Sequence, residues 1–165
     1  MACRGVLFAI TAEEAGRLKA AQGDDAKVLG IVQDEIEAAW DKEHLCETDK
    51  AWDAIHRCLT DGTLSFGAVE YPRNLCILGG EQLHEGEDYI VSLLSLDQVK
   101  QVSEAVKPIT QEWFRARYDA INPEEYGLNF GDEDFAYTWE WLQGVRDFYQ
   151  KAASDGRWTI FTVDQ

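Results

Sequence analysis

The chain has 165 residues, of which 45% are hydrophobic and 12% aromatic, enough to bury the core of a single domain without disulfide staples. Its formal net charge of -16 opposes direct contact with a nucleic-acid backbone or an anionic lipid surface. The four cysteines, Cys3, Cys46, Cys58 and Cys76, form no Cys-x-x-Cys pair, which excludes a zinc knuckle or a thioredoxin-type motif and reads as buried or idle thiols in a reducing compartment.

The opening "GVLFAI" is a short apolar run that predicts a strand, and "TAEE" after it has the Thr-x-x-Glu form of a capping box, so a helix is expected from about Ala12. In "AKVLGIVQDEIEAAWDKE", Val28, Ile31 or Val32, Ile36 and Trp40 recur near helical spacing with acidic residues between them. "TDKAWDAIHRCLTDG" predicts a helix capped by Thr48 or Asp49, with Ala51, Trp52, Ile55 and Leu59 on one face and Gly62 as its stop. "NLCILGG" and "DYIVSLLS" read as two short buried strands flanking the loop "GGEQLHEGE", joined as a hairpin or by a longer connection.

"SLDQVKQVSEAVKPI" starts with a Ser-x-x-Gln cap and carries Leu96, Val99, Val102 and Val106 along one stripe until Pro108. "TQEWFRARYDAI" restarts a helix, and "NPEEYG" reads as an Asn cap, a first-turn Pro and a short turn. A long helix is expected from about Asp134 to Ala153, its wide apolar face built by Phe135, Trp139, Leu142, Val145, Tyr149 and Ala152. A Gly past its end and an apolar, β-branched strand close the chain. The order implies a single α+β domain over 1–165, several helices packed around a small mixed β-sheet that includes strands near both termini.

Two places carry residues with chemical potential. His56 shares a helical face with Trp52 and Leu59, so it is either a core histidine satisfied by a carbonyl or carboxylate, or a general base or metal ligand oriented by Asp53 or a distant carboxylate. The loop "GGEQLHEGED" offers His84, Glu85, Glu87 and Asp88 beside Gly79 and Gly80, but matches neither His-Glu-x-x-His nor a calcium-loop spacing, and a solvated acidic turn is the simpler reading. No phosphate-cradling or nucleophile-elbow motif is present, so no cofactor, metal or catalytic residue is assigned. No apolar stretch spans a bilayer and the first residues lack a small-residue cleavage site, which leads to the expectation of a soluble cytoplasmic protein.

"DKAWDAIH", "ILGG", "LDQVKQVSEAVKPI" followed by "RARYD", and "WLQGVRDFYQKAASDGRWTIFTVDQ" together resemble the YfbM-like bacterial proteins of unknown function across nearly the whole chain. Where many members of that family follow the Gly-Gly pair with a glycine-rich turn, this sequence has "EDYIVSLLSLDQ". The resemblance implies an α+β fold around one small sheet, a bacterial source and no assigned reaction, with Asp49, Lys50, Trp52, His56, Gly79 and Gly80 at the matching positions.

With the acidity concentrated in 24–53, 81–98 and 119–140, the expected role is a non-catalytic interaction module that meets a basic protein partner, for example an immunity-type antagonist of a basic toxin or nuclease. No nucleic-acid or membrane partner is expected. The alternative is a small-molecule-binding protein or enzyme with a cleft near His56 and His84, and a homodimer through an exposed aromatic face is a third reading.

Overall fold

The structure, a computed structural model, describes residues 3–67, 69–127 and 129–165. Strand β1 (Gly5–Ile10) is apolar along its length because both its faces are covered: Leu7 and Ala9 enter one core, Phe8 and Ile10 the other. Thr11 then caps α1 (Ala12–Ala21) reciprocally. The Glu14 amide donates to Thr11 Oγ1 at 3.2 Å and the Thr11 amide to Glu14 Oε1 at 3.0 Å, so two otherwise orphaned amides are satisfied by side chains three positions apart.

Helix α2 (Asp25–Leu29) widens into a π-helical segment, Gly30–Glu37, that keeps Val28, Val32 and Ile36 buried. Trp40 departs from the expected stripe: it lies past the helix in the left-handed region (φ 43°) and sets its ring edge-on against Phe8. The next segment also differs from expectation. Thr48 and Asp49 do not cap a helix but end a strand, β2 (Leu45–Asp49), and the Thr48 hydroxyl donates to the Gly5 carbonyl oxygen of β1 at 2.7 Å.

Helix α3 (Trp52–Leu59) follows a tight turn closed by the Ala51 amide on the Thr48 carbonyl. "NLCILGG" is not a strand. It is a 3-10 turn (Arg73–Leu75) and a coiled continuation that drives Leu75, Cys76, Ile77 and Leu78 into the core. The hairpin instead pairs β3 (Glu81–Gln82), inside the supposed loop, with β4 (Tyr89–Leu94).

Ser95 and Gln98 form the second capping box, at the start of α4 (Leu96–Val106). Helices α5 (Gln111–Asp119), capped by Thr110, and α6 (Pro123–Tyr126), capped by Asn122, come next. The long α7 (Asp132–Ser154) ends at Asp155–Gly156, with Gly156 at φ 68°, and hands over to β5 (Trp158–Asp164).

The strands form one open sheet in the order β2-β1-β5-β4-β3. Every pairing in it is antiparallel, where a mixed sheet was expected. Apolar run length and alternation report which strand faces are buried and say nothing about relative direction, which is why this part of the expectation failed. The sheet separates two cores: α3, α4, α5 and α7 pack on the face of Leu7, Leu94, Phe161 and Val163, while α1, α2 and the π segment cover Phe8, Val91, Leu93 and Ile160. This is an α+β fold with helices on both faces of the sheet. Among the described residues, no helix is long and apolar enough to cross a membrane.

Candidate functional site

Helix α3 distributes the candidate residues to different destinations. His56 is completely buried and opens on no cleft itself: the apolar face that it shares with Trp52 and Leu59 is packed, and the ring follows that face inward. Its Nε2 donates to the Ser65 carbonyl oxygen at 2.9 Å, which leaves Nδ1 as a buried lone pair without a partner. Burial holds the His56 pKa below the ordinary histidine value, opposed by the Ser65 bond and by Asp53 and Asp61.

Two concavities begin at the turn into α3. The first, about 510 Å³, has Trp52, Phe66 and Tyr89 among its walls and Gln82 and His84 as polar members. The Trp52 indole donates to the Cys3 carbonyl oxygen at 3.0 Å and lies against Phe161, which fixes the ring from behind. Leu64 and Phe66, 40% and 50% exposed, stand at the mouth, one residue on either side of the Ser65 that His56 holds. His56 therefore serves this cavity by positioning its lip.

His84 is nearly sealed, its side chain 3% exposed, and lies between two carboxylates. Nε2 is 3.1 Å from Asp88 Oδ1, and the contact holds the Asp88 carboxyl below its usual range. Nδ1 has no hydrogen-bond partner, although Asp25 Oδ1 lies 3.4 Å away, a separation without hydrogen-bond geometry. The Asp25 carboxylate is already engaged, accepting the Glu85 amide at 3.0 Å and the Gly86 amide at 3.1 Å, and these bonds tie the hairpin loop to the start of α2. A Cβ on Gly86 would approach Asp88 Oδ1 to 2.7 Å and His84 Nε2 to 2.9 Å, contacts that a shift of the exposed Asp88 side chain away from His84 would relieve.

The second concavity, about 640 Å³, gathers Asp49, Lys50 and Asp53 with Glu133, Asp134 and Tyr137 of α7. Its carboxylates are held mainly by neutral phenols. Asp134 Oδ2 accepts the hydroxyls of Tyr118 and Tyr126, both at 2.7 Å, and Asp49 Oδ2 accepts that of Tyr137 at 2.6 Å. Burial, with the carboxylate bond second, pushes the Tyr137 pKa up to about 12 and those of Tyr118 and Tyr126 higher still, so the phenols stay neutral donors. Asp53 differs: the Arg57 guanidinium donates to it at 2.6 Å. Arg4 reaches Asp49 at 3.3 Å from a side chain that is 77% exposed, a pairing that water screens heavily.

The sequence-selected residues thus divide. Asp49, Lys50 and Asp53 meet in the acidic cleft, Trp52 and His84 meet in the aromatic cavity, and the buried His56 lines neither. Gly79 and Gly80 act through the backbone. A Cβ on Gly79 would come 2.2 Å from the Asn74 carbonyl oxygen, and one on Gly80 would come 2.6 Å from that of Leu93.

Phe66, Gln82 and Tyr89 of the cavity and Tyr126, Glu133 and Tyr137 of the cleft carried no motif; apolar Leu64 and Phe66 inside the turn-rich "DGTLSFG" were the available signal. Burial pushes the Cys46 thiol up to about 12, and the Cys58 and Cys76 thiols further, so none of these three is a reactive nucleophile. Among the described residues, no group of three or more His, Cys, Asp or Glu is placed to hold a metal ion.

The fold and these two concavities define an α+β domain with helices on both faces of an antiparallel sheet. The chain belongs to the family described as Domain of unknown function (DUF1877), whose pattern matches residues 1–162. It is similar in structure to YfbM from Escherichia coli, a protein of unknown function, with a TM-score of 0.69 and 19% sequence identity over 97% of this chain and 99% of that one. This likeness bears out the YfbM-like resemblance read from the sequence and, at that identity, concerns the fold alone. No curated protein matches this sequence.

Proposed function

We propose that this protein is a non-catalytic interaction module, and that its acidic cleft receives a lysine or arginine side chain of a basic protein partner. The observation that carries the reading is the way the cleft carboxylates are held. Asp134 is held by two phenols, which limit its freedom to reorient, so an incoming cation finds its acceptor already in place. Glu133 beside it is exposed, and the Arg4 on Asp49 is exposed enough to yield to a partner's cation.

The net charge of -16 adds long-range attraction that speeds encounter with a basic partner. An antagonist of a basic toxin or nuclease is the concrete form that suits such a surface, with the cleft covering a cationic site on the partner.

The test is capture from the native source at low ionic strength with the wild-type chain and with an Asp49→Asn/Glu133→Gln double variant as baits, followed by titration of the purified complex. Asn at position 49 tolerates the left-handed backbone (φ 47°) and still accepts the Tyr137 hydroxyl, so the variant removes charge and leaves the fold. The expected result is a defined stoichiometric complex with a basic protein, weakened about tenfold by the double variant and further by salt. Retention of the same partner with equal affinity by both baits, or of no basic protein by either, sinks the reading.

A further inference from the structure

We propose that the aromatic cavity beside α3 is a second, independent binding site, and that it takes a small organic amine: an ammonium group carried on an aromatic or alkyl body. Its size, about 510 Å³, lies within the range of roughly 300–1,000 Å³ typical of small-molecule sites. Trp52, Phe66 and Tyr89 supply the flat apolar walls that would enclose such a body, and Trp52 is already locked from behind by Cys3 and Phe161.

The polar end of the cavity specifies the headgroup. The Asp88 carboxylate can only accept, so the His84 nitrogen facing it, Nε2, carries the proton. Nδ1 has no hydrogen-bond partner and lies 3.4 Å from Asp25 Oδ1, in a residue that is nine-tenths buried and lines the cavity. Charge decides which headgroup suits this end. Glu85 and Glu87 line the same cavity and Asp25 and Asp88 flank the imidazole, while among the described residues no lysine or arginine lines it. A cationic N–H donor is favoured by every one of these carboxylates, whereas an anion is opposed by all of them.

The site rests on different residues from the acidic cleft and stands or falls separately. It is tested with three amines, 2-phenylethylamine, tryptamine and hexylamine, set against the neutral alcohols 2-phenylethanol and hexanol, each titrated to about 10 mM into the isotope-labelled protein. The readouts are the His84 imidazole nitrogens and the Trp52 indole in NMR spectra. At least one amine is expected to shift both signals saturably and about tenfold more tightly than its alcohol, since the alcohol lacks the charge that the carboxylates recognise.

His84→Phe is expected to lose that preference. Should this variant not fold, Gly86→Ala serves in its place, because its methyl pushes apart His84 and the exposed Asp88 while leaving the aromatic side chains of the cavity in place. Silence at His84 and Trp52 with all three amines, equal binding of amines and alcohols, unchanged binding by the variant, or shifts confined to Asp49 and Tyr137 would each overturn the assignment.

Discussion

Substitution of Gly79 by alanine is expected to lower the unfolding free energy by about 3 kcal/mol, a fall of roughly 6–12 °C in melting temperature for a domain of this size. The new methyl would lie 2.2 Å from the Asn74 carbonyl oxygen, 2.7 Å from the Asn74 carbonyl carbon and 3.1 Å from the Leu75 amide nitrogen. All three atoms are backbone of one 3-10 turn, so no rotamer change relieves the contact. Moving the turn instead drags Leu75, Cys76, Ile77 and Leu78, each at most 5% exposed, out of a close-packed core. Gly16, in α1 and with nothing within 4 Å of its would-be Cβ, is the internal control. There alanine is expected to add about 0.5–1 kcal/mol by removing glycine's backbone freedom from the unfolded chain. Urea melts of the two variants decide the matter, and a Gly79→Ala protein as stable as wild type would show that the turn is soft.

The features that could be read from the sequence are those whose cause is local. Thr11 with Glu14 and Ser95 with Gln98 needed only residues three apart to define a helix start, and both boxes form. The stripe from Phe135 to Ala152 identified α7, because a helix that long repeats its pattern several times. Strand β2 was missed because "LCETD" lies at the sheet edge, pairs with β1 alone and has no apolar alternation to report. Cys76 to Leu78 were misread as strand for the opposite reason: an apolar run records burial, and a buried turn and a buried strand look alike over so few residues.

The sites follow the same division. Trp52, His84, Asp49 and Asp53 drew notice as residue types, and a cleft was expected near His56 and His84, yet the walls of neither concavity were legible. The cavity draws on residues from position 52 to position 165, and the cleft joins the turn after β2 to the first turns of α7. Such assemblies exist only once the chain has folded.

His56 is where sequence and structure meet most informatively, and its removal is expected to have the second large effect. His56→Ala leaves a void in the core and the Ser65 carbonyl oxygen without its donor, a combined loss of about 2–4 kcal/mol in urea melts. Its titration also gives a direction for the pH dependence. Burial lowers the folded-state pKa, so the unfolded chain takes up a proton near the ordinary histidine value while the folded chain does not. Between those two values the unfolded state binds more protons. The stability that His56 contributes is therefore fully present above about pH 6.5 and is lost as pH falls below it, at up to about 1.4 kcal/mol per unit, until the folded-state value is reached.

His56→Gln separates this effect from the other titrating groups: its amide can still donate to Ser65 but carries no proton to titrate. The slope of stability between pH 7 and 5.5 is expected to be shallower in this variant than in the wild type, and equal slopes would exclude His56 as the source. Because the same bond positions Leu64 and Phe66 at the cavity mouth, the alanine variant is also expected to bind the amine probes more weakly than the glutamine variant does. A histidine that looked like a candidate base thus acts at a distance, as a neutral strut beneath the lip of the cavity.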